Sequence, residues 1–299
     1  MTTIKRMSED NVYLNGQIVP AEDAKISVSD AGLLHGASTF TTMLAHNGLV
    51  FRFDRHLQRL MDTVDLLGLR TDATPEQLQA ATYDLLRANG LAEARLRITL
   101  TPGGVRDDQP TTIITAEALP DYPASWYEKG ITVIVTSFKQ SPGEIVYGYK
   151  TGCYLPRILA RREAAAAGAE EALWYTTGSY LAEACLNNVF LVLKGRVHTP
   201  STETPVLPGV VRDTVLELCE SMDIPHDAKT PLTVTEMLAA EEIFLTGSCS
   251  GIRPVIKVER HDIGDGRPGE LTRRIMAAYR ELLDAECAGP GQQDTSTDS

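Results

Sequence analysis

The sequence has 299 residues, of which 43% are hydrophobic and 23% are charged, and its formal net charge is -12 at pH 7. This composition is typical of a globular protein, and the length predicts two domains that can each bury a core. The acidic balance argues against nucleic-acid binding, because contacts to phosphate need clustered Lys and Arg. The five cysteines form no C-x-x-C pair, which argues against a zinc site or a disulfide framework.

Neither the N-terminus nor any internal segment has the character of an export or membrane sequence. The first residues, MTTIKRMSEDN, lack the apolar core of a signal peptide, and no uninterrupted apolar run is long enough to span a bilayer. We therefore expect a cytoplasmic protein without membrane partners. His35 and His56 have no metal-ligating neighbours at suitable spacing, so we expect structural roles for both and no bound metal.

The first half of the chain predicts a small domain, residues 1–118. Asn-Gly pairs at 15–16 and 47–48 lie between short apolar runs, which is typical of two-residue hairpin turns. Asp54 is expected to cap one helix and Thr74-Pro75 to begin another, because proline fits the first helical position. The predicted strands are 12–19 (a hairpin), 25–29, 38–45, 49–53, 94–101 and 111–116, and the predicted helices are 55–67 and 75–89.

Two prolines in the segment LPDYPASW predict an interdomain linker at residues 119–126, followed by a large domain at 127–286. Strands are predicted there at 131–137, 171–175, 180–182, 189–193, 243–246 and 255–258. Helices are predicted at 155–167, 208–222, 235–240 and 270–283. The tail, 287–299, has too little apolar content to fold and is expected to be disordered.

One lysine and one carboxylate mark the segment from Ile145 to Asn188. Lys150 lies in a Tyr- and Gly-rich stretch before an Ala- and Arg-rich helix, and Glu183 follows a strand-turn-strand pattern. Held on opposite sides of a pocket, they would suit pyridoxal phosphate, because the amine can bond its aldehyde and the carboxylate can pair with its ring nitrogen. Spacing alone does not distinguish this arrangement from a surface lysine and a solvated turn residue.

Five segments, in order along the chain, resemble signature blocks of the class IV, or fold type IV, pyridoxal-phosphate aminotransferases. They read KTGCYLPRILARREA, GAEEAL, LAEACLNNVFLV, VLPGVVR and EEIFLTGSCSGIRPV. The resemblance implies a two-domain α/β protein with a smaller N-terminal α+β domain and a larger C-terminal α/β domain that binds the cofactor. It also implies a homodimer with the cofactor in the cleft between the domains.

The resemblance also assigns roles to individual residues. Lys150 would bond pyridoxal phosphate covalently and carry a proton between substrate and cofactor, Glu183 would pair with the ring nitrogen, and Tyr154 would bond the phenolic oxygen. The implied phosphate-binding residues are Arg59, Val210, Val211 and Ser248. Arg55 is a local alternative to Arg59. The two valines would act through free N–H groups at a helix start, although many family members have Ile-Thr there and thus one more hydroxyl.

The choice of substrate stays open. Branched-chain enzymes commonly show F-E-G-x-R where this chain reads F-T-T-M-L, so Thr41 and Leu44 replace their Glu and Arg. The Phe-Thr-Thr pattern resembles 4-amino-4-deoxychorismate lyases, whereas VLPGVVR and KTGCYLPRIL look more like aminotransferases. Candidate substrate-binding residues are Phe40, Thr42, Arg97, Arg106 and Cys249. Arg97 and Arg106 suit a substrate carboxylate but are equally plausible as surface arginines.

The resemblance therefore predicts an aminotransferase that moves an amino group between an amino acid and a 2-oxo acid, branched-chain-like or D-amino acid-like. The alternative is a 4-amino-4-deoxychorismate lyase, which would use the same lysine to release pyruvate and leave 4-aminobenzoate. A third hypothesis is an acidic binding protein that has kept the fold without the cofactor. The joint presence of Lys150, Glu183 and Arg59 argues against it.

Overall fold

The computed structural model describes residues 10–104 and 109–289, which fall into two compact units. Unit 1 comprises the residues up to Pro120, the segment Lys150–Cys153 and the residues from Leu283 onward; unit 2 comprises Asp121–Tyr149 and Tyr154–Leu282. The sequence predicts the Lys150 segment in the second domain. The structure groups it with unit 1, because its backbone bonds to a strand of that unit. The other domain boundaries stay a prediction.

Unit 1 is a single antiparallel sheet with helices. Its elements are β1 (Asn11–Leu14), β2 (Gln17–Pro20), α1 (Ala31–His35), β3 (Thr39–His46), β4 (Leu49–Val50), α2 (Phe53–Leu67), α3 (Pro75–Ala88), β5 (Ala94–Thr101) and β6 (Thr111–Ala118). The strand order is β2-β1-β6-β5-β3-β4. The Asn-Gly turns of both predicted hairpins are confirmed, and all four of their residues have positive φ, which Asn and Gly tolerate.

Three features of unit 1 differ from the sequence-based prediction. The segment from Lys25 to Ser29 forms no strand but runs in turns toward α1, a short helix that was not predicted. Helix α2 begins at Phe53, after Arg52 in the left-handed region at φ 52°, without a side-chain cap. Asp54 therefore lies in the first turn rather than at the cap, where its charge still favours the helix N-terminus.

The alternation of side chains in β3 and β5 separates the core of unit 1 from its open face. Met43, Leu96 and Ile98 are fully buried against apolar residues of α2 and α3, which recur every three or four positions. Phe40 and Thr42 point to the opposite face of β3. That face carries the candidate substrate-binding residues of this unit.

Unit 2 is a mixed sheet with helices. Its elements are α4 (Ala124–Glu128), β7 (Ile131–Gln140), α5 (Leu155–Ala166), β8 (Glu171–Thr176), β9 (Leu181–Ala184), β10 (Asn188–Leu193), β11 (Arg196–His198), α6 (Val210–Ser221), β12 (His226–Asp227), α7 (Val234–Leu238), β13 (Glu242–Gly247), β14 (Gly251–Val258), β15 (His261–Asp262) and α8 (Glu270–Glu286). The strand order is β12-β11-β10-β13-β14-β7-β8-β9, and β15 pairs with β14. The end of α8, from Leu283, belongs to unit 1.

Burial on both faces explains the continuous apolar strands of unit 2. All six residues of β8 are buried, and alternate residues join two clusters: Leu173 and Tyr175 one, Ala172 and Trp174 the other. Strands β11, β12 and β15 were not predicted, because two or three residues are too few to show a period. Helix α4 occupies part of the predicted linker. Cys287, at the start of the tail predicted to be disordered, is buried, and residues 290–299 lie outside the described residues.

A buried aspartate, Asp30, joins α1 to the ends of β5 and β6. Its Oδ1 accepts hydrogen bonds from the N–H groups of Gly32 (2.7 Å) and Leu33 (3.2 Å). Its Oδ2 accepts hydrogen bonds from the hydroxyls of Thr101 (2.7 Å) and Thr111 (2.8 Å). Because the carboxylate is 0% exposed, these donors replace the water that it loses on folding.

Replacing this carboxylate tests how strongly it holds the segment before β3. Asp30→Ala should lower the free energy of unfolding by about 3 kcal/mol, because it leaves buried donors without an acceptor. Urea unfolding of both proteins measures the change. The exposed Glu22 provides the control: Glu22→Ala should change the free energy by less than about 0.5 kcal/mol. An equally small loss for Asp30→Ala would contradict the assignment.

Candidate active site

The backbone of Lys150 is fixed to β3. Its carbonyl oxygen accepts hydrogen bonds from the Phe40 N–H at 2.9 Å and from the Thr39 hydroxyl at 3.1 Å. Two residues further on, the Gly152 N–H donates to the Ser38 carbonyl at 2.9 Å. A Cβ on Gly152 would lie 2.2 Å from Ser38 Oγ and 3.2 Å from the Gly36 carbonyl oxygen, so a larger residue here would displace its neighbours. The lysine side chain therefore extends from a rigid stretch of backbone.

The ring of Phe40 is contacted by two cations. Lys150 Nζ lies 5.0 Å from the ring centroid, and Arg97 Cζ lies 3.5 Å from it. Arg97 stands directly opposite Thr42 in the β3–β5 register, and its Nε donates to Thr99 Oγ1 at 3.0 Å. The structure thus brings together four predicted site residues on one face of unit 1. Two positive groups against an apolar ring form a surface that suits a small anionic substrate.

On the helix side of β3, Thr41 connects two side chains of α2. Arg59 Nη2 donates to Thr41 Oγ1 at 3.3 Å, and His56 Nδ1 lies 3.0 Å from the same oxygen. Burial, with the positive charges of Arg59 and Lys150, holds the pKa of His56 well below its usual range. We therefore assign a neutral ring whose Nδ1 accepts the Thr41 hydroxyl proton. Arg55, the local alternative to Arg59, is exposed.

In unit 2, Glu183 lies on β9 and is 2% exposed. Its Oε1 accepts hydrogen bonds from Gln140 Nε2 at 2.9 Å and from Arg157 Nη2 at 2.5 Å. Its Oε2 accepts a hydrogen bond from the Leu207 N–H at 3.2 Å. The carboxylate is therefore held in one orientation by three donors. Tyr154, just before α5, lies near the same arginine, with its ring centroid 5.8 Å from Arg157 Cζ.

Helix α6 begins without a side-chain cap. Gly209 is its N-cap, and Val210 and Val211 form its first turn, so the N–H groups at the start of the helix have no side-chain acceptor there. A Cβ on Gly209 would lie 2.0 Å from Asn188 Oδ1, which explains the glycine. Together with the helix dipole, free N–H groups favour an anion at this end.

A buried hydroxyl lies on the strand beside this helix start. Thr246 stands opposite Asn188 in the β10–β13 register, so the two side chains share a face of the sheet. Thr246 Oγ1 is buried and has no hydrogen-bond partner among the described residues. Ser248 and Cys249 follow in the partly buried turn before β14. Arg106 lies outside the described residues.

Sequence reasoning missed Arg157, Gln140 and Thr246. For Arg157 a signal was present: it precedes Ala160 by three residues and Ala164 by seven, so it lies on the buried stripe of α5. An arginine on such a stripe needs a buried anion as its partner. Gln140 and Thr246 gave no comparable signal, because polar residues near strand ends are common in loops as well.

Two surveys of the described residues were negative. In the ranges 10–104 and 109–289, no helix has both the length and the apolar composition of a membrane span. Within the same ranges, no group of three or more His, Cys, Asp or Glu is arranged to hold a metal ion.

Comparisons with known proteins give one family. Residues 38–258 match the model of the family described as amino-transferase class IV. The branched-chain-amino-acid aminotransferase of Escherichia coli (strain K12) is 30% identical over 300 residues, which cover 96% of each chain. A crystal structure of the Escherichia coli branched-chain enzyme superposes with a TM-score of 0.88 at 29% identity, covering 93% of this chain and 96% of that one.

A second solved structure is a T.th. branched-chain amino acid aminotransferase with pyridoxamine 5'-phosphate. It superposes with a TM-score of 0.87 at 26% identity, covering 95% of this chain and 96% of that one.

The chain belongs to the class IV aminotransferases. It is a transaminase of fold type IV, which transfers an amino group between an amino acid and a 2-oxo acid. The family, the fold class and the reaction predicted from the sequence are thereby confirmed. The roles of individual residues stay predictions.

The neutral state of His56 has a consequence for stability. Because its folded pKa is lowered, His56 stabilises the protein above its unfolded pKa of about 6.5, and this contribution is lost as pH falls below that value. The loss should approach about 1.4 kcal/mol per pH unit. His56→Gln lacks this pH-dependent contribution to stability, whereas the wild type loses it as the pH falls. The difference in unfolding free energy between wild type and variant should therefore shrink from about pH 8 to pH 5. The other histidines are common to both proteins, and a pH-independent difference would contradict a neutral His56.

The buried hydroxyl of Thr246 gives a second prediction. Thr246→Val should leave the unfolding free energy of the ligand-free protein unchanged or raise it by up to about 1 kcal/mol, because a buried hydroxyl without a partner is costly. If the hydroxyl faces an anion, pyridoxal phosphate should bind about five- to tenfold more weakly. Thr214 is the matched control: its buried hydroxyl donates to the Val210 carbonyl at 2.9 Å, so Thr214→Val should cost about 1 kcal/mol. A similar cost for both variants would contradict the prediction.

Proposed function

We propose that this transaminase uses pyridoxal 5'-phosphate and takes branched-chain L-amino acids as amino donors. The observation that carries the proposal is the attachment of Lys150 to β3, beside Arg97 and the neutral His56. The named relatives are branched-chain enzymes, and one solved neighbour holds pyridoxamine 5'-phosphate. When bound, the cofactor supplies an aldehyde that bonds amines and a ring that accepts the electrons left at the substrate α-carbon.

The donor groups of this chain fit such a cofactor. A guanidinium, Arg59, and the uncapped start of α6 at Val210 and Val211 suit a phosphate, since both match anionic oxygens. The unpartnered hydroxyl of Thr246 supplies a further donor, in addition to the predicted Ser248. The hydroxyl of Thr246 would replace the threonine hydroxyl that many family members have at the position of Val211.

Lys150 is the proposed catalytic residue. Its Nζ would hold the cofactor in the resting enzyme and, once the substrate amine has displaced it, the freed amine would carry the α-carbon proton to the cofactor, and back again in the reverse half-reaction. The backbone clamp to β3 restricts where this amine can move. Glu183 is the proposed partner of the ring nitrogen and Tyr154 that of the phenolic oxygen, since a carboxylate and a hydroxyl satisfy those polar atoms.

Arg97 is the proposed ligand of the substrate carboxylate. Its guanidinium lies on the same ring, Phe40, as the amine of Lys150, so the carboxylate and the α-carbon of one amino acid suit this pair. Thr42, opposite Arg97, lines the same face. Thr41, which contributes to the lyase-like pattern, already bonds His56 and Arg59 and therefore serves the helix side rather than the substrate.

A homodimer and a cytoplasmic location are part of the proposal. Val28, Leu33 and Leu34 of unit 1 are 83%, 58% and 55% exposed, and a second copy of the chain would cover such apolar side chains. No disulfide links the five cysteines, all of which lie among the described residues, and this fits a reducing compartment.

The half-reaction tests the reaction and the substrate together. Holoenzyme is mixed with one amino acid at a time in the absence of any 2-oxo acid, and the 2-oxo acid formed per site is counted by mass spectrometry. We expect close to one equivalent from L-leucine, L-isoleucine and L-valine, because each enzyme molecule can accept one amino group before it needs an acceptor. Lys150→Ala should slow this step by about 10⁴-fold or more, since it removes both the bonding amine and the proton carrier.

The control for Lys150→Ala is Lys129→Ala, which changes an exposed lysine of the same size and should keep the wild-type rate. Reduction of the wild-type holoenzyme with borohydride should place the pyridoxyl mass on the peptide that contains Lys150. Turnover of D-amino acids alone would overturn the proposed substrate. A holoenzyme that converts no amino acid but releases pyruvate from 4-amino-4-deoxychorismate would be a lyase.

A further inference from the structure

Arg157 is the buried ionic partner of Glu183, and the chemistry proposed above gives it no role. It lies on the stripe of α5 that also carries the buried Ala160 and Ala164. Its side chain is 12% exposed and that of Glu183 is 3% exposed. Arg157 Nη2 donates a charge-assisted hydrogen bond to Glu183 Oε1, and the two atoms are 2.5 Å apart.

Groups other than Glu183 also hold the guanidinium in place. Its Nη1 donates to the carbonyl oxygens of Cys185 at 2.8 Å and of Ala184 at 3.3 Å. Its Cζ lies 5.8 Å from the ring centroids of both Tyr154 and Trp174. Carbonyl dipoles and aromatic rings stabilise a cation. The positive charge is therefore part of unit 2 before any ligand binds.

Arg157 keeps this charge in the folded protein. Burial by itself would lower the pKa of Arg157, but the charge and hydrogen bond of Glu183, together with contributions from Tyr154 and Cys185, outweigh burial, and the pKa is raised above its ordinary value. A guanidinium is in any case not deprotonated in proteins. The negative charge of Glu183 is consequently matched by a permanent positive one.

The carboxylate of Glu183 can accept one further hydrogen bond. An ionised carboxylate offers about four acceptor positions, two on each oxygen. Oε1 is occupied by Gln140 and Arg157, and Oε2 accepts only the Leu207 N–H among the residues that the structure describes. One position on Oε2 is thus available for the N–H of a protonated ring.

We propose that Arg157 shares the negative charge of Glu183 and thereby limits how firmly this carboxylate holds a proton on the cofactor's ring nitrogen. The inference rests on the proposed pairing of Glu183 with that nitrogen. The negative charge of Glu183 attracts a proton on the ring nitrogen, and the positive charge of Arg157 repels it. Both effects are strong where water is excluded. The ring then draws electrons from the substrate less strongly than it would beside an unpaired carboxylate. Arg157 is thus a positioning residue that tunes the reaction through Glu183.

The other titratable groups around Glu183 and Arg157, among the described residues, include Tyr147, Tyr154, Cys185 and Glu171. Burial raises the pKa of Cys185 to about 12, so its thiol is neutral. Glu171 is buried on β8, and its Oε2 accepts from Asn187 Nδ2 at 2.6 Å. All four are unchanged in the variants below, so a difference between those variants reports on the changed residue.

Titration of the ring nitrogen itself tests the proposal. Wild type, Arg157→Met and Arg157→Lys are loaded with pyridoxal phosphate carrying ¹⁵N in the ring, and the ¹⁵N chemical shift is followed from about pH 5 to pH 10. Arg157→Met should raise the midpoint of ring deprotonation by about one pH unit or more, which is about tenfold in proton affinity. Arg157→Lys keeps the charge and should remain close to wild type. Arg157→Gln is measured alongside, in case the Met variant does not fold.

Two controls separate this inference from the proposed function. Gln140→Met removes a neutral donor from the same carboxylate oxygen and should raise the midpoint less than Arg157→Met does. Glu183→Gln should lower the midpoint. If Glu183→Gln leaves it unchanged, or if the wild type binds no pyridoxal phosphate, the proposed role of Glu183 fails. If Glu183→Gln lowers it but the neutral Arg157 variants leave it unchanged or also lower it, Arg157 only packs against or orients the carboxylate, and the inference alone is overturned.

Discussion

The hydrogen bonds between the backbone of Lys150 and β3 are the constraint on which the candidate site of unit 1 depends. They fix the backbone of the lysine to a strand whose alternation sends Phe40 to one face and Thr41 to the other. Arg97 then meets the ring of Phe40, and Arg59 meets the hydroxyl of Thr41. A lysine on a loose loop would lose backbone entropy whenever it was ordered, whereas here folding has already removed much of this freedom.

Positive groups are concentrated near β3, although the protein as a whole is acidic. The chain carries a net charge of -12, yet Lys150, Arg97 and Arg59 are concentrated around one end of β3. His56 stays neutral among them, because another positive charge in this buried place would be costly. The same requirement accounts for Asp30, whose buried carboxylate is satisfied by hydrogen-bond donors on both oxygens. Buried ionic groups persist here where the backbone supplies fixed partners.

Family membership and local chemistry answer different questions about this enzyme. The match to the class IV aminotransferases establishes amino-group transfer. Family membership does not settle the local chemistry of unit 2, such as the arginine that pairs with Glu183 and the unpartnered hydroxyl of Thr246. Because Arg157 is held by the backbone carbonyls of Ala184 and Cys185, the two residues after Glu183, substitutions of Arg157 and of Glu183 should not have additive effects.

The sequence alone determined the family, the fold class, the hairpin turns and most of the longer helices and strands, because local periodicity and turn residues specify these features. It did not predict that the turns after Lys25 end at a buried aspartate or that the Lys150 segment bonds to a strand about a hundred residues earlier. Nor did it predict that Arg157 reaches Glu183. Such contacts join residues far apart in sequence, and their partners are chosen by packing and by the need to satisfy buried polar groups. Only the tertiary structure decides them.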